Sequence, residues 1–213
     1  MNPARSLGRI LVTLIGLFPG WFPAHPAIHE VGPITLSVAD LDRELAFYTN
    51  TLAFRLVGLE QAAGSELEAL TGQSGAHTRT ATLRLGQERI ELTQFVAPPG
   101  RPIPADSRSL DHWFQHLAIV VSDMDEAYAR LRAARVKQVS TAPQTLPAWN
   151  PASGGIRAFY FRDPEDHVLE VIWFPPGKGD PKWAETSRDR PARGAPVLFL
   201  GIDHTAIVVS DTD

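Results

Sequence analysis

Two histidines open the same phrase. Residues 116–123 read His-Leu-Ala-Ile-Val-Val-Ser-Asp and residues 204–211 read His-Thr-Ala-Ile-Val-Val-Ser-Asp, so His116 and His204 stand in one frame. An imidazole that returns at the head of a repeated apolar run marks where a divalent metal could sit. A lone histidine in an apolar strand is otherwise a hydrogen-bonded core residue, and repetition can record duplication alone. The chain contains no cysteine, which removes disulfides, thiolate nucleophiles and Cys-based zinc sites. Any metal must then be held by His, Asp or Glu, a donor set that suits Zn, Ni, Mn or Fe(II) better than soft ions.

The elements that would carry these residues follow from the same repeat. A weaker copy, Pro-Ile-Thr-Leu-Ser-Val-Ala-Asp, fills residues 33–40, and the closing aspartates Asp40, Asp123 and Asp211 make the chain an array of one module. In copy one Ile34, Leu36 and Val38 alternate with Thr35 and Ser37 as a strand, and Asp40 caps a helix carrying Leu41, Leu45, Tyr48 and Leu52. Strands near 55–59, 81–85 and 89–95, the last two joined at Gly86-Gln87, complete a β-α-β-β-β order. Copy two repeats it: a strand at 116–121, a helix opened by Asp123 and Glu126, a short strand at 136–140, and a hairpin of 156–161 and 167–174. The Pro- and Gly-rich segment 176–197 reads as a linker. Copy three starts at Leu198 with one strand, so the chain is expected to continue into a third and fourth copy.

At 213 residues and a net charge of −4 with no long run of one sign, nucleic acid and anionic membranes are poor partners. Arg5 and Arg9 precede the apolar run 10–18, which Pro19-Gly20 breaks. That pattern predicts an export signal, and hence a periplasmic or secreted protein; the alternative is an apolar arm on a cytoplasmic one. The run is too short for an integral membrane span. The expected segments are 1–27 (signal or arm), 28–98 (first module), 99–112 (linker), 113–175 (second module), 176–197 (linker) and 198–213 (first strand of a third module).

Three features together resemble the vicinal oxygen chelate superfamily of glyoxalases, bleomycin-resistance proteins and extradiol dioxygenases. They are Asp-Leu-Asp and Asp-Met-Asp at the helix starts, Phe47-Tyr48…Leu52, and Tyr160-Phe161-Arg162-Asp163-Pro164…Leu169-Glu170. Asp166 stands where the family has glycine. The resemblance implies an α+β fold of paired βαβββ modules forming a curled eight-stranded mixed sheet around a cavity, with helices outside. It also puts metal ligands on the opening and closing strands of each module, here Pro33, Glu91, His116 and Glu170. Alternation agrees, placing His116 with Ala118 and Val120, and Glu170 with Val168 and Ile172.

Pro33 removes one ligand, and three arrangements remain open. His116, Glu170 and Glu91 can form a three-ligand site, with Glu91 as third ligand or general base. The pair can instead be a degenerate partner of a downstream pair that begins at His204. Copies two and three can also pair, bringing His116, Glu170 and His204 together, although the linker at 176–197 argues against it. Each residue has a plainer reading: Glu170 as a partly solvated carboxylate, Glu91 as a partner of Arg84 or Arg89. Thr35, Ser37, Tyr160 and Trp149 are candidate substrate contacts, Trp149 on a loop that either closes over substrate or packs on the hairpin. The function implied is a metal-dependent enzyme that chelates two oxygens of a small molecule, as an extradiol dioxygenase or a lyase/isomerase. The alternatives are a metal-free binding protein of the bleomycin-resistance type and a non-catalytic scaffold pair. Pairing is expected either in a homodimer or with C-terminal modules.

Overall fold

The computed structural model describes residues 32–186 and 197–211; the expected signal or arm at 1–27 lies outside them. Module one runs β1 (Ile34–Val38), α1 (Leu41–Asn50), β2 (Arg55–Ala63), α2 (Ser65–Thr71), β3 (His77–Leu85) and β4 (Glu88–Ala97). Its strands lie in the order β1-β4-β3-β2, with β1 parallel to β4. Module two runs β5 (Gln115–Val121), α3 (Met124–Ala133), β6 (Lys137–Gln138), β7 (Gln144–Thr145), β8 (Arg157–Arg162) and β9 (Val168–Trp173). After it come α4 (Pro181–Thr186) and β10 (Phe199–Ile207). The second sheet has the order β10-β5-β9-β8-β6, with β7 paired to β8. The α+β fold of repeated βαβββ modules therefore forms, its strands divided between a four-stranded and a six-stranded sheet.

Both long helices start where the aspartates predict. The Asp40 carboxylate accepts from the Arg43 N–H at 3.0 Å, and the Asp123 carboxylate accepts from Asp125 and Glu126 N–H at 2.9 Å. One core joins the modules, uniting Leu36, Leu41, Tyr48 and Leu92 with Leu117, Ile119, Phe159 and Val171. On the other face of β5 and β9, Ala118, Val120 and Ile172 pack with Leu200 and Trp183. The two faces divide as strand alternation requires. Asp166 takes φ 73° in the β8–β9 turn, the left-handed conformation that glycine adopts most easily.

That turn also ties module two to module one. Glu165 accepts from the backbone N–H groups of Ala39 and Asp40 and pairs with Arg43 at 3.1 Å, placing a carboxylate at the positive end of α1. Beside it, Asp163 accepts from Tyr48 Oη at 3.2 Å and contacts His167 Nδ1 at 2.8 Å. His167 Nε2 reaches the Ser37 carbonyl at 3.1 Å.

Three details differ from expectation. An extra helix, α2, follows β2. The strand expected over 136–140 shrinks to two residues, because Val139 N–H and Ser140 N–H both turn onto the Tyr160 carbonyl. Most consequential, the segment 176–197 contains α4, and β10 pairs antiparallel with β5 along its open edge.

Candidate metal centre

His116 lies at the start of β5 and Glu170 in the middle of β9. The two strands are parallel neighbours with Ala118 opposite Glu170, so both side chains point to the face of Ala118 and Val120. Left in a regular register, β10 would keep His204 on the same side as Ile202, towards the joint core. The register instead slips between Ile202↔Ile119 and His204↔Ala118, leaving Asp203 as an extra residue. This β-bulge turns His204 onto the face of His116.

The three side chains converge. His116 Nε2 and His204 Nε2 are 3.3 Å apart, and Glu170 Oε2 lies 3.2 Å from the first and 3.6 Å from the second. Among the described residues these form the one His/Asp/Glu group whose ligand atoms lie close enough to share an ion. An ion bound at about 2.0–2.2 Å places neighbouring ligand atoms roughly 2.8–3.6 Å apart in tetrahedral or octahedral coordination, which matches all three edges. Glu170 Oε2 is buried without a hydrogen-bond donor, a costly state for a carboxylate that a cation relieves. The residues present therefore fit a divalent ion.

The surroundings give the site a floor and an opening. The side chains of Glu170 and His116 are 4% and 10% exposed, while that of His204 is 39% exposed, so the approach is from the His204 side. Tyr160 is Glu170's cross-strand partner, and its ring meets the His116 imidazole edge-on at 5.2 Å. Burial, together with the charge and hydrogen bond of Glu170, pushes the Tyr160 phenol well above its ordinary value. The phenol thus keeps its proton and donates a hydrogen bond to the carboxylate.

The other sequence-derived candidates lie elsewhere. Thr35, Ser37 and Glu91 belong to the four-stranded sheet, where Thr35 Oγ1 donates to Glu91 Oε2 at 3.3 Å. The structure does not bring them to the triad, because β10, not β1, lines the open edge of β5. The linker does not separate copies two and three: α4 packs Trp183 beneath β5 and β10. Trp149 is 81% exposed and neither covers the triad nor packs on the hairpin. Sequence reasoning passed over Asp203, whose Oδ2 accepts from His204 Nδ1 at 2.8 Å, and Trp183, whose Nε1 donates to Asp203 Oδ1 at 3.0 Å. A signal existed for Trp183, a large aromatic in an otherwise polar, Pro-rich stretch.

Comparison with known proteins gives the lineage. The Glyoxalase/Bleomycin resistance protein/Dioxygenase superfamily pattern matches residues 30–171. The chain belongs to this superfamily. A 2-epi-5-epi-valiolone epimerase from Actinomyces sp is 36% identical over 162 residues, covering 73% of this chain and 83% of that protein. The crystal structure of a glyoxalase family protein from Bacillus cereus superposes with a TM-score of 0.60 at 20% identity, over 70% of this chain and 97% of that one; that likeness is one of fold. The matched superfamily region contains His116 and Glu170 but stops before β10, so the third member of the triad is a contribution of geometry.

Proposed function

We propose that this glyoxalase-superfamily chain is a divalent-metal-dependent enzyme that epimerises or isomerises a small oxygen-rich molecule at a carbon beside a carbonyl. The observation that carries the reading is the convergence of His116, Glu170 and His204 in a half-open site. These three residues would hold the ion, which when bound supplies a Lewis acid for two neighbouring substrate oxygens and for negative charge developing on them.

The chain's own part is positional. Glu170 and His116, nearly buried, form a fixed wall, and Tyr160 steadies the Glu170 carboxylate with its retained proton. Ala118, Val120, Ile172 and Trp183 keep water from beneath the triad. Substrate enters past His204, the exposed member. The same donor set also serves extradiol cleavage and lyase chemistry; the epimerase among the relatives favours stereochemical inversion. In a metal-free binding role Glu170 Oε2, buried without a hydrogen bond, would have only the imidazoles of His116 and His204 to balance its charge.

The test is to load the metal-free protein in turn with Mn(II), Ni(II), Zn(II) and Fe(II) and incubate it with 2-epi-5-epi-valiolone in D2O. Proton NMR should show deuterium entering beside the carbonyl and an epimer appearing, both lost in His116→Ala. Absence of exchange with every metal, together with catechol cleavage under air by the Fe(II) form, would replace this reading with ring-cleaving oxygenation.

A further inference from the structure

Neighbouring residues of a regular strand point to opposite faces, so Asp203 and His204 should be unable to touch. They touch because Asp203 is the extra residue of the bulge. We propose that Asp203 is the positioning residue of the site: through the Nδ1 contact it holds His204 as the Nδ1–H tautomer, so that the Nε2 lone pair faces His116 and Glu170, with Trp183 and Glu88 as its anchors. This rests on the metal reading above.

The anchoring is continuous. Trp183 Nε1 donates to the other Asp203 oxygen, so Asp203 has one oxygen for the linker helix and one for the histidine. Trp183 is 6% exposed and packs on Ala118, Val120 and Ile172, so its indole cannot swing away. Lys182 Nζ lies 4.2 Å above the indole and 3.1 Å from Glu88 Oε1. Glu88 Oε2 in turn accepts from the Ile202 N–H at 3.3 Å, immediately before the bulge. The β3–β4 turn of module one therefore helps to set the bulge that aims a ligand in the other sheet. His116 has no such support, since its Nδ1 is buried without a partner. His204 is the member whose orientation is imposed from outside the triad.

The consequence for an ion is specific. A histidine ligand whose other nitrogen donates to a carboxylate is fixed in tautomer and made more basic, and loss of such a partner costs about 10- to 100-fold in affinity. The experiment has two readouts on the full chain. Nitrogen-15 NMR of the metal-free protein reports the His204 tautomer, and calorimetry reports Zn(II) affinity. The parent should show Nδ1–H at His204. Asp203→Ala should shift the proton to Nε2 and weaken Zn(II) by about 10- to 100-fold, with the backbone amide resonances of α1 and β2, remote from the triad, unmoved as the check on folding. Asp203→Asn, whose amide oxygen still accepts, should restore the tautomer. Trp183→Phe, which keeps the ring and loses the donor, should broaden the His204 signals between the two forms. An unchanged tautomer and affinity in Asp203→Ala would overturn the proposal. An Asp203-dependent tautomer in a protein that binds no ion would uphold the positioning and defeat the metal reading instead.

Discussion

Tyr160 and Glu44 show how differently a half-buried and a fully buried polar group are used. Tyr160 donates a hydrogen bond to Glu170 while keeping its proton, so Tyr160→Phe should leave the fold intact and loosen the carboxylate, weakening Zn(II) binding by about tenfold; unchanged calorimetry would remove Tyr160 from the site. Glu44 is fully buried in α1 with both oxygens unpartnered. Burial first, then the charges of Asp163 and Glu165, push its carboxyl from 4.5 up to about 9. The folded state therefore holds a proton that the unfolded chain releases. The stability this gives is complete below pH 4.5 and is lost as pH rises through about 9. Glu44→Gln should flatten that decline and be more stable than the parent at pH 9 in thermal melts; identical melts across the range would contradict it. At this scale the sequence was informative where types repeat. His116 and Glu170 were legible from strand alternation and from the resemblance. Glu44 was not, because a glutamate one turn into an amphipathic helix reads as a solvent-facing group until Asp163 and Glu165 are folded over it.

At the scale of elements, the bulges of β10 decide which side chains meet at the triad. Gly201 sits between two register slips, and a Cβ there would stand 2.5 Å from Glu88 Oε2 and 2.7 Å from Trp183 Cζ3. Gly201→Ala must push the indole or the carboxylate aside, which should cost about 1–3 kcal/mol of stability and release Asp203 along with His204. Denaturant unfolding and Zn(II) affinity should both fall; a variant as stable and as tight-binding as the parent would show that the contact does not constrain the strand. Capping aspartates, the Gly86-Gln87 turn and most strands could be read from sequence because local rules govern them. The bulges could not, since the residue pattern Ile202-Asp203-His204 in a regular strand sends Ile202 and His204 to one face. Only pairing against β5 reveals the slip. The polar composition of 176–197 likewise hid α4, whose reason for folding is the apolar face that Trp183 covers.

At the scale of the molecule, the repeat predicted the modules and left their pairing open. The first two copies share a core on their helix sides, while the triad forms between the second copy and the strand of the third. Pro33 in copy one is then no defect of this site, because copy one supplies it no ligand; its role is to buttress β10 through Glu88. His204, not Glu91, completes the triad of His116 and Glu170. Calorimetric titration of the metal-free protein with Zn(II), in the parent, His204→Ala and Glu91→Gln, tests it most directly. One ion per chain is expected in the parent and in Glu91→Gln at equal affinity, and at least about a hundredfold loss in His204→Ala. Retained binding in His204→Ala with loss in Glu91→Gln would contradict it and return the site to the first two copies.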